Sequence, residues 1–151
     1  MADTRCQLEC EDWLRQTWMT ARFEQPFRRE RVRLRSGGVF DFDAVSADDT
    51  VVATISTSSA RTASGKLGVG KMMKLRSDML FLLLAAPGRP VMILTESDMY
   101  EACLKERASG RVPQEIEFFH APLPDELATR LKAAKRVSGE EVTPTSRSST
   151  V

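Results

Sequence analysis

The residues with the most chemical potential lie in the middle third of the chain. The stretch "VFDFDAVS" (39–46) sets two carboxylates, Asp41 and Asp43, two residues apart. On a strand they share one face, where acids can hold a divalent cation or activate water. Downstream, "SGKLGVGKMM" (64–73) carries Gly65, Gly70 and Lys71 at the G-x-x-x-x-G-K spacing of a phosphate-cradling loop. Just before it, "TISTSSARTASGK" (54–66) holds many hydroxyls with Arg61 and Lys66 and not one acid. Lys71, Lys74 and Asp78 stand at i, i+3 and i+7, which makes one polar stripe on a helix.

The nucleotide-loop reading fails on its own terms. The loop needs Ser or Thr after the lysine to hold magnesium, and here that place is Met72. It should also leave a strand directly, whereas polar residues 58–64 intervene. The glycines are better explained as the flexible start of a helix. His120 is the single histidine, so no Ser-His-Asp set follows from spacing. Cys6, Cys10 and Cys103 cannot all pair, and there is no secretory segment ahead of them. The expectation is free thiols in a reducing cytoplasm.

At 151 residues the chain is the size of one domain with one core. The net charge of +1 argues neither for nor against nucleic acid, so only a local patch can. No apolar run approaches the ~20 residues of a membrane span. Residues 8–23 have helical apolar spacing, with Trp13 and Trp18 among the apolar positions. Three short strands follow at 31–35, 39–45 and 50–57, joined by turns at Ser36-Gly37-Gly38 and Ala47-Asp48-Asp49. Phe40, Phe42 and Ala44 are expected on the core face of the second strand. A helix over 71–86, a fully apolar strand over 91–96, a helix from Ser97 to Gly110, a strand over 115–121 and a helix from Pro124 to about Val137 complete the order. The expected domain spans 1–137, and 138–151 is a Ser/Thr-rich tail expected to be disordered. The predicted fold class is α/β (α+β), a mixed sheet of about five strands flanked by helices in the order αβββαβαβα. The crossover should be right-handed.

Over approximately residues 8–137 this order, with Asp43 on the second strand, resembles the PD-(D/E)XK nuclease superfamily, the restriction-endonuclease-like fold. The resemblance implies a strand-two acid at Asp43, with Asp41 as second choice, and an acid-x-Lys triplet on the third strand. In "VVATISTS" those two places are Thr54 and Ser56. Neither can do the family's job, because threonine is a weak neutral ligand and serine carries no charge. The missing lysine could come from Lys66, Lys71 or Lys74. The missing acid has no source between Thr50 and Ser77. Asp78 is expected to lie too far from Asp43, leaving Glu9 or Glu11 of the first helix to approach.

The resemblance therefore implies a nuclease-like domain with a degraded active site. Its expected role is binding of the nucleic-acid phosphate backbone, with weak or no cleavage. Arg61, Lys66, Lys71 and Lys74 are the expected phosphate-binding residues. If active, the domain would be a phosphodiesterase using magnesium or manganese at Asp43 and Asp41. Arg28, Arg29, Arg31, Arg33 and Arg35 form a second basic cluster or a charged edge strand. The alternative is a catalytically inactive protein-interaction or structural subunit, or a homo-oligomer, that keeps the fold. Its contact regions would be the first helix and the tail.

Overall fold

Two polar turns fold the first three strands against one another. Gly37 adopts φ +99°, a conformation that favours glycine, and its N–H donates to the Leu34 carbonyl at 2.9 Å. Asp48 closes the second turn. One carboxylate oxygen accepts from the Ser46 hydroxyl, the Thr50 N–H and the Thr50 hydroxyl. Those hydrogen bonds hold the Asp48 carboxyl down at about 2. The turns join β1 (Phe27–Arg33), β2 (Val39–Ser46) and β3 (Val51–Ser56) in an antiparallel meander. The computed structural model describes the backbone of residues 4–62 and 64–142, with side chains as far as Val137.

From β3 the chain crosses through α3 (Val69–Ala85) to β4 (Arg89–Leu94), which pairs parallel to β3. It crosses again through α4 (Ser97–Ala108) to β5 (Glu117–His120), parallel to β4. The sheet order is β1-β2-β3-β4-β5. Helices α3 and α4 pack on the same face, as two successive crossovers of one hand require. The expected mixed five-stranded sheet, flanked by helices in the expected order, is what the chain forms.

The first helix is continuous but not uniform. α1 (Arg5–Trp13) runs through a π-helical turn, Leu14–Met19, into α2 (Thr20–Phe23), and Glu24 at φ +58° ends it. The Thr20 hydroxyl donates to the Arg15 carbonyl within the turn, at 2.9 Å. This segment covers the second face of the sheet. Leu14 and Met19 pack on Ala44, Val51, Ala53, Ile55, Val91 and Ile93. Trp18 meets Phe23 and Phe119 edge-on at 6.5 and 6.2 Å. The tryptophans of this helix therefore pack toward the sheet, because an otherwise bare apolar face needs them there. α5 (Asp125–Val142) lies against α1 through Cys6, Cys10 and Leu131.

The opposite face is larger. Leu75, Met79 and Leu82 of α3 and Met99 and Cys103 of α4 pack on Phe42, Val45, Val52, Met92 and Leu94. The strand "VMIL" is buried on both sides, as its unbroken apolar run predicts.

Several boundaries differ from expectation. β1 begins at Phe27, not residue 31, because Phe27 is anchored on Phe23 at 5.5 Å and a bulge in the β1–β2 ladder breaks the alternation. α5 continues to Val142, so residues 138–142 of the expected tail are helical, and 143–151 lie outside the described residues. Among the described residues no helix is long and apolar enough to cross a membrane.

Phe42 is fully buried and central to the larger core. Phe42→Ala is expected to lower stability by about 3–5 kcal/mol in equilibrium urea unfolding, with the m-value unchanged.

Candidate functional site where β2 and β3 part

The β1–β2 register slips by one residue between Arg28 and Glu30. Two residues of β2, Asp43 and Ala44, therefore face the single Arg29 of β1, which is a β-bulge. The slip changes the alternation. Phe40 and Phe42 face the α3 side, Ala44 faces the α1 side, and Val45 returns to the α3 side. The expectation that Ala44 shares a face with Phe40 and Phe42 is thus corrected by the bulge. Pairing between β2 and β3 covers Ala44↔Ala53 and Val45↔Val52. Beyond it the Asp43 side chain takes over, and its Oδ2 accepts the Ile55 N–H at 2.8 Å. One further step of the same register sets Asp43 across from Thr54.

Both helical layers send charge to this point. From the α1 side, Arg15 is buried, and it donates to the Asp43 carbonyl at 2.9 Å and to Asp12 at 2.6 Å. Glu11 is buried beside it and accepts from Gln7 at 3.2 Å. From the α3 side comes Asp78, also buried, paired with Lys74 at 2.8 Å. Burial pushes the Asp43 carboxyl up, the Ile55 N–H pulls it partly back, and the Asp78 carboxylate pushes it up again. Burial, and after it Asp43, pushes Glu11 up in the same way. Asp78 is therefore within electrostatic reach of Asp43. No hydrogen bond or shared ion pair joins the two acids, and Asp78 is engaged by Lys74 of its own helix. Of the two first-helix acids proposed, Glu11 is the one that approaches; Glu9 pairs with Arg130 of α5 at 2.8 Å.

Thr54 and Ser56, the places of the missing acid and lysine, differ in environment. Thr54 is 3% exposed, and among the described residues its hydroxyl has no hydrogen-bond partner. Val52 before it packs against α3, while Ala53 and Ile55 pack against the first helix. Alternation thus aims Thr54 toward α3. Ser56 accepts the Ser58 N–H at 3.2 Å. Asp41 is not part of the cluster. It is exposed and paired with Arg31 at 2.9 Å, and that hydrogen bond holds its carboxyl below the usual range.

Would a divalent cation suit these residues? Among the described residues no three His, Cys, Asp or Glu side chains are placed to hold a metal ion. A magnesium-sized ion, however, takes one or two carboxylates and fills its remaining positions with water and phosphate. The Asp43 carboxylate and the orphaned Thr54 hydroxyl across from it are oxygen donors of that chemistry.

The expected phosphate-binding residues are largely engaged with the chain itself. Arg61 donates to the Gly65 carbonyl and Lys71 to the Arg61 carbonyl, at 2.9 and 2.8 Å. Lys74 is on Asp78, and Lys66 is exposed on the loop. Two further features escaped the sequence reading. Arg15 gave no signal, because an arginine on an amphipathic helix ordinarily reads as a solvated side chain. Lys135 of α5 donates to the Thr57 carbonyl at the end of β3, and burial lowers its ammonium pKa. His120 is half-buried and stacks on Tyr100 at 5.7 Å. The three cysteines are free and buried; burial, then Cys6, pushes the Cys10 thiol up to about 12.

A raised carboxyl pKa means the fold prefers the protonated form. Asp43 and Glu11 therefore contribute stability at low pH that is lost as pH rises from their ordinary 3.8 and 4.5 through the folded values. Arg15, Arg29 and Asp78 face the same group and are already included in that direction. Asp43→Asn keeps an acceptor for Ile55, so it is expected to raise Tm at pH 7 and to flatten the fall in Tm above pH 4; a lowered Tm at pH 7 would contradict the assignment. Thr54→Val, which replaces an unpaired buried hydroxyl with a methyl, is expected to add about 1–2 kcal/mol in urea unfolding. Comparison with protein-family models, with curated proteins and with solved structures finds no match to this chain.

Proposed function

We propose that this chain is a nuclease-like domain that engages the phosphate backbone of nucleic acid at the mouth between β2 and β3, with weak or no cleavage. The observation that carries this reading is the placement of Asp43. It stands where two antiparallel strands part, opposite Thr54, with α1 and α3 closing in from either side. The element order and the five-strand sheet agree with the resemblance that motivated it.

The chain's own groups divide the work. Lys66 on the exposed loop and Lys74 on the first turns of α3 offer cations to phosphate oxygens, and their flexible stems let each act as a point charge. Arg61 and Lys71 shape the loop through carbonyl bonds and contribute positive potential. Arg15 fixes the backbone of Asp43 from below. A divalent ion, when bound, would supply charge stabilisation on the phosphate and a more acidic water.

A second reading rests on a different surface. A groove of about 870 Å³ runs between α3 and α4, lined in part by Leu67, Val69 and Leu104. Leu67 and Val69 are 68% and 70% exposed. Large exposed apolar side chains around a groove suit a protein contact, as the interaction-subunit alternative requires.

Fluorescence anisotropy on duplex, branched and single-stranded DNA separates the two. Affinity should fall steeply with salt, and Lys66→Ala and Lys74→Ala should each reduce the log–log salt slope by about one. Unmeasurable binding at low salt, or a slope indifferent to both lysines, would sink the nucleic-acid reading. Retained DNA binding in Leu104→Asp is expected on the first reading, because the groove lies outside the mouth.

A further inference from the structure

β1 forms one edge of the sheet, and its outer side is open. The Leu34 N–H donates to the Gly38 carbonyl at 2.8 Å, which makes these two a hydrogen-bonded pair of the β1–β2 hairpin. Such pairs alternate along an antiparallel ladder. Val32↔Phe40 is the next one, so the backbone groups of Arg31 and Arg33 point away from β2. The Arg35 N–H keeps the same phase: it turns from β2 and donates to the Leu84 carbonyl of α3 at 2.9 Å. That contact closes the edge at one end. Among the described residues the outward N–H and C=O groups of Arg31 and Arg33 have no protein partner.

The two faces of this edge differ. Val32 packs against the larger core on the α3 face, so alternation sets Arg31 and Arg33 on the other face, where both are exposed. Arg31 is held by Asp41 at 2.9 Å. Arg33 stands across from the exposed Val39 and, among the described residues, has no acid on it. Beside Val32 lies a cavity of about 480 Å³, bounded by residues 30–33, by the buried Val45 and Val52, and by residues 85–88 at the end of α3. Glu30 and Asp49, the acids that line it, are already bonded to Arg28 at 2.8 and 2.7 Å. The edge thus offers backbone groups in its plane, positive charge on one face and a valine-lined recess on the other.

We propose that the outer edge of β1 takes an extended segment of a partner protein as an added strand, with acidic side chains at alternate positions beside Arg31 and Arg33 and apolar ones between them, one of which enters the recess. In such an addition main-chain hydrogen bonds give affinity and pockets for alternate side chains give specificity. Charge selects the occupant. An antiparallel pairing with β1 of a second copy would set Arg31 and Arg33 against arginines, which is unfavourable and is how charged edges resist self-association. Residues 143–151 of this chain hold Arg147 and no acid. Nucleic acid would answer the arginines, but its phosphates bring no donor for the outward carbonyls and nothing apolar for the recess. This edge is separate from the mouth at Asp43 and from the groove between α3 and α4.

The probe is a fluorescein-labelled peptide of alternating glutamate and valine, titrated with the full chain by anisotropy at low salt. A block peptide of the same composition controls for alternation, and alternating lysine and valine controls for charge. Only the alternating acidic peptide is expected to bind, and it should slow hydrogen exchange at the Arg31 and Arg33 amides about ten-fold or more. Replacing its valines with alanine should weaken it several-fold, because the recess is then unfilled. Arg33→Gln removes one charge and keeps the backbone donor, so it should weaken binding several-fold. Arg33→Pro also removes the outward N–H, which an edge strand tolerates, and should weaken binding about ten-fold or more. Glu115→Gln, beside the opposite edge of the sheet, should leave binding unchanged. Circular dichroism checks that each variant folds, and Arg33→Gln with the exchange measurement decides the case if Arg33→Pro does not. Equal affinity for the alternating and block peptides, unprotected Arg31 and Arg33 amides, or no binding at millimolar peptide overturns the proposal. So does dimerisation of the chain that Arg33→Pro abolishes, which gives the edge to a second copy. DNA binding lost in Arg33→Gln without peptide binding overturns it as well and gives the arginines to nucleic acid.

Discussion

One hydrogen bond organises the site: the Asp43 carboxylate accepting the Ile55 N–H. Where an antiparallel pair separates, the inner N–H groups lose their backbone partners, and a buried donor left unpaired is costly. Here a side chain replaces the lost carbonyl, so β2 can leave β3 while Ile55 remains paired and Thr54 and Ile55 remain buried. The bulge opposite Arg29 makes this possible, since it turns Asp43 out of strict alternation without exposing Phe42. A regular strand could not place Phe42 in one core, Ala44 in the other and a carboxylate between them.

The same arrangement carries a penalty that structure alone does not repay. Glu11, Asp43 and Asp78 are poorly hydrated acids, and burial, aided by the charge of a neighbouring acid, raises the carboxyls of Glu11 and Asp43. Isosteric neutral groups at Glu11 and Asp43 would be more stable. The counter-charges present, Arg15 and Lys74, are of different kinds. Arg15 is buried and bonded through two nitrogens to backbone and carboxylate, which makes it a fixed part of the wall. Lys74 is exposed and holds one oxygen. A site with one fixed cation and one movable cation keeps its shape while its charge balance can change. Stability lost locally at such a place is the usual mark of a working site.

The fold was largely legible in the sequence because its signals are local. The turn at Ala47-Asp48-Asp49 needs only the Asp48 side chain and its neighbours. The run "VMIL" reports burial on both faces by composition alone. The site was less legible because it depends on phase and distance. Alternation places Asp43 and Asp41 on one face, but a one-residue bulge, invisible in composition, sends Asp43 to Ile55 and leaves Asp41 to Arg31. Arg15 lies on the same helix face as the buried Cys10, Glu11 and Leu14, yet its residue type alone marks it as a surface side chain. That Asp78 is buried on α3 and adds to the field at Asp43 is a tertiary property, which helix spacing alone does not announce.

That direction is set by the glycine-bearing loop that first resembled a phosphate cradle. Gly68 donates to the Ala60 carbonyl at 2.8 Å, and a Cβ there would stand 3.3 Å from the same oxygen. Lys71 reaches back to the Arg61 carbonyl, and Asp98 at the start of α4 accepts from the Ser59 hydroxyl and the Ala60 N–H. The loop is thus tied to α4 on one side and to the first turn of α3 on the other. With both attachments made, α3 has little freedom to slide along the sheet. A shift of one residue would move Asp78 by about 1.5 Å along the axis and turn it about 100° away from the mouth. The lysine and glycine spacing that mimics a nucleotide loop therefore serves to hold a helix in register, and the register fixes where the buried Asp78, with Lys74 on it, stands on the sheet face.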